Sequence, residues 1–191
     1  MPGRATAPPA PGAAALFLDR DGVINFDSGY THRREDFRFM PGIFELAREA
    51  CRRGLRVVVI TNQAGIGRGR YDEPAFLALT DWMLDRFLAE GVAIDRVYYC
   101  PHHPEASVPG YRVACPCRKP APGMLTAAAR DLGLDLPASM LVGDKAGDVE
   151  AGAAAGVGTL VLLGDDAMPA AARGARRGAD LAAVRQLLFG A

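Results

Sequence analysis

The chain lacks a net charge: 22 Lys and Arg balance 22 Asp and Glu over 191 residues. Without a global basic field nothing points to nucleic acid, although a local cationic patch could still hold a small anion. No apolar run approaches the roughly 18 residues of a membrane span, so no membrane partner is expected. Residues 1–13 are Ala, Pro and Gly with one Arg, one Thr and the initiator Met. They lack the charged-then-apolar pattern of an export signal and read as a disordered lead, which makes the cytoplasm the expected compartment. Four cysteines there are thiols or metal ligands rather than disulfides. The chain also has no internal repeat, no G-x-x-x-x-G-K-[ST], no H-E-x-x-H and no H-x-E with P-C-x-x-C, which sets aside P-loop nucleotide hydrolysis, zinc proteolysis and base deamination.

What is present is a 50% hydrophobic fraction, enough for one domain with a real core, expected over 14–191. Apolar runs at 15–18, 55–60, 96–99, 140–142 and 159–163 read as strands. Helical patterns lie between most of them. Ile43, Phe44, Ala47, Ala50 and Cys51 share one helical face, and 74–90, 122–132, 148–155 and 181–188 are further helices. Gly54, Gly91, Gly133 and Gly156 follow the first four as stops, as glycine does past a helix end. Strands of continuous apolar character alternating with helices imply an α/β fold, a parallel sheet covered on both faces. Two long connections, 23–41 and 101–120, break this rhythm, and loops of that length are often functional. The stretch 165–179 reads as a mobile surface segment, with Arg173, Arg176 and Arg177 solvated.

The acidic signal is Asp19-Arg20-Asp21-Gly22 at the end of the first run. Period-two alternation points Asp19 and Asp21 the same way, and Gly22 allows a sharp turn. Open α/β sheets keep their sites at such strand ends. Paired carboxylates there can hold a metal or divide nucleophilic and acid/base roles. Gly143-Asp144-Lys145 ends another run, so Asp144 converges on Asp19 and Asp21 if the strands are neighbours; three oxygen ligands with phosphate and water suit Mg²⁺. Asp148 is either a further site residue or a favourable charge in the first turn of a helix. Thr61-Asn62-Gln63, before a glycine-rich turn, offers a hydroxyl and amides to phosphate oxygens, or else forms a capping turn.

Cys100-Pro101-His102 and Cys115-Pro116-Cys117 supply three thiolates and an imidazole, sufficient to close a tetrahedral zinc site. Such four-ligand sites are structural, and zinc would order a loop with little apolar content. His103 could replace His102, which is favoured; Cys51 reads as plain core. Arg118-Lys119 follows at once, placing two cations suited to phosphate.

Asp19-Arg20-Asp21-Gly22-Val23-Ile24-Asn25, Thr61-Asn62-Gln63, Cys117-Arg118-Lys119-Pro120 and Gly143-Asp144-Lys145 resemble the four ordered motifs of the haloacid dehalogenase-like (HAD-like) phosphohydrolases. The resemblance covers about 16–163. The cysteine pieces and Asp27-x-Gly29-Tyr30 are similar to the branch acting on heptose 1,7-bisphosphate. It implies a Rossmann-like fold without a large cap domain, a catalytic Mg²⁺ and a structural Zn²⁺ in a loop. Asp19 would be the nucleophile forming an aspartyl-phosphate, and Asp21 the general acid and base. Mg²⁺ would bind Asp19, the main-chain carbonyl of Asp21, and Asp144, while Zn²⁺ would take Cys100, His102, Cys115 and Cys117. Thr61 and Lys119 would steady the phosphoryl group. Asp27, Tyr30, Asn62, Gln63, Arg118 and Lys145 would meet the substrate, a phosphorylated sugar bound by a monomer. Histidinol-phosphate phosphatases share these motifs and are the nearest alternative; a zinc-stabilised binding module without catalysis is the other.

Overall fold

The computed structural model describes residues 12–172 and 174–190. The expected lead lies outside the described residues as far as residue 11, as does Arg173. Gly12 and Ala13 are paired: Gly12 N–H donates to the Gly133 carbonyl at 2.9 Å, and Ala13 bridges Leu134.

The elements in order are β1 (Ala15–Leu18), α1 (Ile43–Arg52), β2 (Arg56–Asn62), α2 (Ala64–Gly67), α3 (Glu73–Ala89), β3 (Arg96–Cys100), α4 (Gly123–Leu132), β4 (Met140–Gly143), α5 (Ala146–Ala155), β5 (Thr159–Leu163), β6 (Arg176–Gly178) and α6 (Leu181–Phe189). The sheet has six strands in the order β3-β2-β1-β4-β5-β6, every pair parallel. The long connections contain short 3₁₀ turns, Arg34–Asp36 and Pro109–Tyr111, and an isolated bridge between Asn25 and Phe39, so no cap domain interrupts the described fold.

The apolar strands are buried on both faces, and their period of two divides the core. Leu16, Leu18, Val57 and Val59 pack with Ile43, Leu46, Phe76, Met83 and Phe87 from α1 and α3. Ala15, Phe17, Val58 and Ile60 pack on the other face with Met124, Leu125 and Val149 from α4 and α5. Each such side chain contributes roughly 1.5–3 kcal/mol on leaving water, so a one-residue slip in a central strand would exchange the two sets.

Three elements depart from the sequence reading. The segment 165–179 is not wholly a surface coil: Arg176, Arg177 and Gly178 pair with Val161, Leu162 and Leu163 as an edge strand. Their arginines mask it because edge pairing needs only main-chain groups. Arg177 is not merely solvated either, since its Nη2 donates to the Asp166 carbonyl at 2.8 Å. Helix α5 starts at Ala146 rather than 148, because Asp148 accepts from the Lys145 N–H at 3.0 Å and so caps the helix from its third position. The glycine-rich turn after β2 winds into the short helix α2, where the Cβ that Gly65 lacks would fall 2.3 Å from the Tyr71 ring.

β1 pairs with β2 on one side and β4 on the other, while the chain travels from β1 outward to β3 before returning to β4. The strand order therefore reverses between β1 and β4, where open α/β sheets form a crevice at their carboxyl ends.

Candidate active site

Three strand tips build the site. Leu18 is in register with Val142, and the Asp19 N–H donates to the Val142 carbonyl at 3.0 Å. This sets the end of β1 beside Gly143-Asp144. The end of β2 supplies Thr61, Asn62 and Gln63. Asp19, Asp144 and Asp148 each present a carboxylate oxygen within 4.8 Å of the others. Lys119 enters from the connection before α4. Its Nζ lies 2.8 Å from Asp19 Oδ1 and 2.7 Å from Asp148 Oδ1, and donates to the Ile60 carbonyl at 2.9 Å.

This ammonium is 3% exposed. Burial opposes its charge, but Asp148 and Asp19 more than reverse that, and its pKa lies above the usual lysine range. Burial pushes Asp19 up, with Asp148 and Asp144 adding repulsion and Lys119 partly offsetting both, to about 8. Asp144 is raised by burial, with the Lys145 ammonium 3.0 Å away acting against it.

Asp148 has one oxygen on Lys119 and the other on the Lys145 N–H. That leaves Asp19 and Asp144 for a cation. Asp144 Oδ1 is buried without a hydrogen-bond partner, an arrangement a hard divalent ion relieves. The residues therefore fit Mg²⁺.

Asp21 lines the same cleft but is not one of the three grouped carboxylates. Its carboxylate accepts from Arg20 Nε and Nη2 at 2.8–3.1 Å, from Asn25 Nδ2 at 3.0 Å and from Gln63 Nε2 at 3.0 Å. Arg20 is 1% exposed, also donates to the Thr31 carbonyl at 2.8 Å, and lies 5.6 Å from the centre of the Phe76 ring. No separate role for Arg20 or Asn25 is read from the sequence. Alternation alone places Arg20 opposite its two acidic neighbours, the one signal that it is turned inward.

The open cleft over these tips has a volume of about 350 Å³ and is lined by Asp19, Asp27, Thr61, Arg118, Lys119, Asp144 and Lys145, among others. A recess of about 250 Å³, lined by Tyr30, Gln63 and Tyr71 among others, shares Asp21, Asp27 and Asn62 with it. Of three larger hollows, those of about 630 Å³ and 390 Å³ hold none of the acidic tips and one of about 640 Å³ touches Asp144 and Lys145. Asp27 and Tyr30 thus stand at the mouth, where Tyr30 adopts φ +59° and its hydroxyl accepts from Arg68 Nη1 at 2.5 Å.

Two amides expected at the substrate are directed elsewhere. Asn62 Nδ2 donates to the Lys119 carbonyl at 3.0 Å, and its Oδ1 accepts from the Lys119 N–H at 3.1 Å. Gln63 Nε2 donates to Thr61 Oγ1 at 2.8 Å as well as to Asp21, and its Oε1 accepts from the Tyr71 hydroxyl at 2.6 Å. Burial pushes that phenol up to about 12, against the pull of Arg20. No pattern in the sequence marks Tyr71.

The second cluster closes the 101–120 connection. Cys100, Cys115 and Cys117 place their sulfurs 3.0–3.4 Å apart, and His102 Nδ1 lies 3.5 Å from Cys117 Sγ and 3.6 Å from Cys100 Sγ. A zinc tetrahedron with Zn–S near 2.3 Å has S···S edges of about 3.8 Å, so the four atoms stand slightly inside a ligand shell. The cysteines are free thiols. Burial raises Cys100 and Cys117; against burial, contacts from Cys117 and Cys100 pull Cys115 down to about 7. His103 is directed elsewhere, with Nε2 3.1 Å from Arg68 Nη2 and Nδ1 accepting from the Glu105 N–H. Arg118 Nη1 donates to the His102 carbonyl at 3.3 Å, which ties the cation pair to the cluster.

Comparison with known proteins supplies relatives. Residues 116–187 match the HAD-hydrolase-like family. D-glycero-alpha-D-manno-heptose-1,7-bisphosphate 7-phosphatase of Burkholderia mallei (strain ATCC 23344) is 56% identical over 151 residues, covering 79% of this chain and 80% of that one. The beta-heptose counterpart of Photorhabdus laumondii subsp. laumondii is 49% identical over 152 residues, covering 80% and 81%. Among solved structures, the D,D-heptose 1.7-bisphosphate phosphatase from B. bronchiseptica, complexed with magnesium and phosphate, superposes with a TM-score of 0.80 at 32% identity over 92% of this chain and 98% of that one.

Proposed function

Since the chain belongs to the HAD-like hydrolases, in the family of the heptose-1,7-bisphosphate 7-phosphatases, and is a phosphoric monoester hydrolase, we propose that it removes the 7-phosphate of D-glycero-D-manno-heptose 1,7-bisphosphate through an aspartyl-phosphate on Asp19. The product would feed nucleotide-activated heptose. The observation that carries this reading is the buried Lys119 ammonium, 2.8 Å from Asp19, beside the unpartnered Asp144 oxygen. With a divalent ion on Asp144, Lys119 would complete a cationic seat for a phosphoryl group next to a carboxylate that can attack it.

In the first step an Asp19 oxygen attacks phosphorus, the bond to the sugar oxygen breaks, and Asp21 gives that oxygen its proton. In the second step water attacks the aspartyl-phosphate, Asp21 takes a proton from the water, and Asp19 leaves as a carboxylate with inorganic phosphate. Lys119 and the Thr61 hydroxyl hold the phosphoryl oxygens, while Arg118, Asp27, Tyr30 and Lys145 meet the rest of the substrate. Asp19, Asp144 and the Asp21 carbonyl would hold Mg²⁺, which neutralises charge on the phosphoryl group; the magnesium and phosphate of the B. bronchiseptica structure support this. Phosphate monoesters hydrolyse so slowly that accelerations reach about 10²¹. A general acid supplies about 10²–10⁴ of that, so covalent splitting, positioning and charge neutralisation carry most of the work.

Cys100, His102, Cys115 and Cys117 would hold a structural Zn²⁺. The free thiols suit the reducing cytoplasm, and no helix among the described residues is long and apolar enough to cross a membrane. Residues 14–191 would act as a single domain and a monomer.

The test is phosphate release from a panel holding both heptose 1,7-bisphosphate anomers and histidinol phosphate, with and without added Mg²⁺. Mg²⁺-dependent release from the heptose substrate, abolished in Asp19→Asn, is expected. Preferred turnover of histidinol phosphate, or an active Asp19→Asn, would overturn the reading.

A further inference from the structure

We propose that Gln63 is a positioning residue: its one amide sets both the Thr61 hydroxyl and the Asp21 carboxylate, and Tyr71 fixes that amide in place. The inference rests on the phosphatase reading above.

Gln63 is 1% exposed, so its amide finds its partners in the protein. The Nε2 group has two hydrogens, and both are used, one on Asp21 Oδ2 at 3.0 Å and one on Thr61 Oγ1 at 2.8 Å. Because Thr61 Oγ1 accepts from Gln63, its own proton is left to point into the cleft at a phosphoryl oxygen. Through the second hydrogen the same amide holds the Asp21 carboxylate at the height of the sugar oxygen. Turned over, the amide would set Oε1 against the Asp21 carboxylate oxygen and leave Thr61 without its donor. The acceptor-only Asp21 carboxylate thus selects the productive face, and the Tyr71 hydroxyl, donating to Oε1 at 2.6 Å, fixes the amide in it.

Tyr71 is itself fixed. Its ring lies over Gly65, where a Cβ would fall 2.3 Å from Cε1, and the His32 ring stacks on it at 5.0 Å with a 9° tilt. Misplacing a reacting group by about 1 Å can cost about 10²-fold, so a fixed tyrosine two residues from the cleft can matter to the rate.

The two arms of the amide predict different dependence on the leaving group. A sugar oxygen must be protonated as it leaves, whereas the phenolate of p-nitrophenyl phosphate departs without a proton. Gln63→Met keeps the length and removes both N–H groups. Its kcat on heptose 1,7-bisphosphate is expected to fall about 100-fold and on p-nitrophenyl phosphate about 10-fold, with both KM values within about threefold. Tyr71→Phe should show the same ordering with smaller losses, about tenfold and about threefold. Gln63→Glu loses the two-hydrogen amide and, once ionised at high pH, repels Asp21 and has no donor for Thr61, so at high pH it should be as slow as Gln63→Met.

Equal losses on the two substrates would reduce Gln63 to a packing role and overturn the proposal. A rise in KM alone would make it a substrate contact and do the same. Thermal melting checks that each variant folds; if Gln63→Met does not, Gln63→Glu at high pH and Tyr71→Phe carry the comparison. Wild-type protein inactive on the heptose substrate sinks the phosphatase reading, whereas active wild type with an unimpaired Gln63→Met sinks this inference alone.

Discussion

A Cβ on Gly22 would stand 2.2 Å from Asp144 Oδ2 and 2.3 Å from its Cγ. The turn after β1 is thus pressed against the carboxylate at the tip of β4, the approach that lets two sequence-distant acids share one site. Gly22 also has φ +93°, a conformation costing other residues about 1–2 kcal/mol. Gly22→Ala should therefore displace Asp144, lowering turnover and Mg²⁺ affinity together by about tenfold or more. Calorimetric titration with Mg²⁺ beside activity measurements checks this, and unchanged Mg²⁺ binding would show that the contact is not needed.

Asp19 makes the metal-free protein sensitive to pH. Burial lifts its carboxyl from 3.8 to about 8, so the folded chain binds that proton more tightly than the unfolded one. Its contribution to stability is present below the unfolded value and is lost as pH climbs through that window, levelling off above about 8. The melting temperature of Mg²⁺-free protein is expected to fall between pH 5 and pH 8, and less steeply in Asp19→Asn. Mg²⁺ must displace the proton at lower pH, so the rise in melting temperature on adding it should be larger at pH 8 than at pH 6. A larger rise at pH 6 would contradict the raised carboxyl.

The parts of the fold and site that could be read from the sequence are those that burial dictates. Runs such as 15–18 and 140–142 are continuously apolar because both faces of a parallel sheet are covered, and the polar residues that end them, Asp19 and Asp144, mark the strand tips. The grouping of Cys100, His102, Cys115 and Cys117 is equally legible, because four side chains of metal-binding type crowd one loop. Edge strand β6 was hidden because its pairing with β5 is a main-chain matter and its arginines carry no apolar signal. Arg20 and Tyr71 are harder to read for another reason: alternation turns Arg20 inward, but no pattern encodes the side-chain bonds that tie it to Asp21 and Tyr71 to Gln63.

Asn62 shows what that difference means for function. Residue type at a strand tip suggested a hand on the substrate, but both ends of its amide meet the main chain of Lys119. These two bonds tie down the main chain from which the Lys119 ammonium reaches Asp19. Asn62→Ala removes two hydrogen bonds and leaves the Lys119 main chain to find other partners, at a cost of about 1–3 kcal/mol. The expected result is a kcat lowered about 10- to 100-fold with KM for the sugar phosphate nearly unchanged. Steady-state kinetics decides, since a substrate contact would raise KM instead.

The cysteine cluster should prove as necessary to catalysis as to folding, because Cys117 is followed directly by Arg118 and Lys119. Three sulfurs within 3.4 Å of one another would repel once ionised, so a cation must hold them if they are to fix the loop. Structural zinc binds with an apparent affinity of about 10–16 kcal/mol, far more than a loop with little apolar surface can gain by packing. Elemental analysis of the purified protein is therefore expected to find one zinc per chain. Cys117→Ser should lose it, with the melting temperature falling by about 10 °C or more. Cys51→Ser, altering a half-buried thiol on α1, should keep its zinc and serves as the control. In the zinc-free variant, phosphatase activity should collapse even at saturating Mg²⁺, because Lys119 no longer stands between Asp19 and Asp148. A zinc-free Cys117→Ser that melts and turns over like wild type would show that the loop is ordered by its own contacts and that Lys119 needs no metal to keep its place.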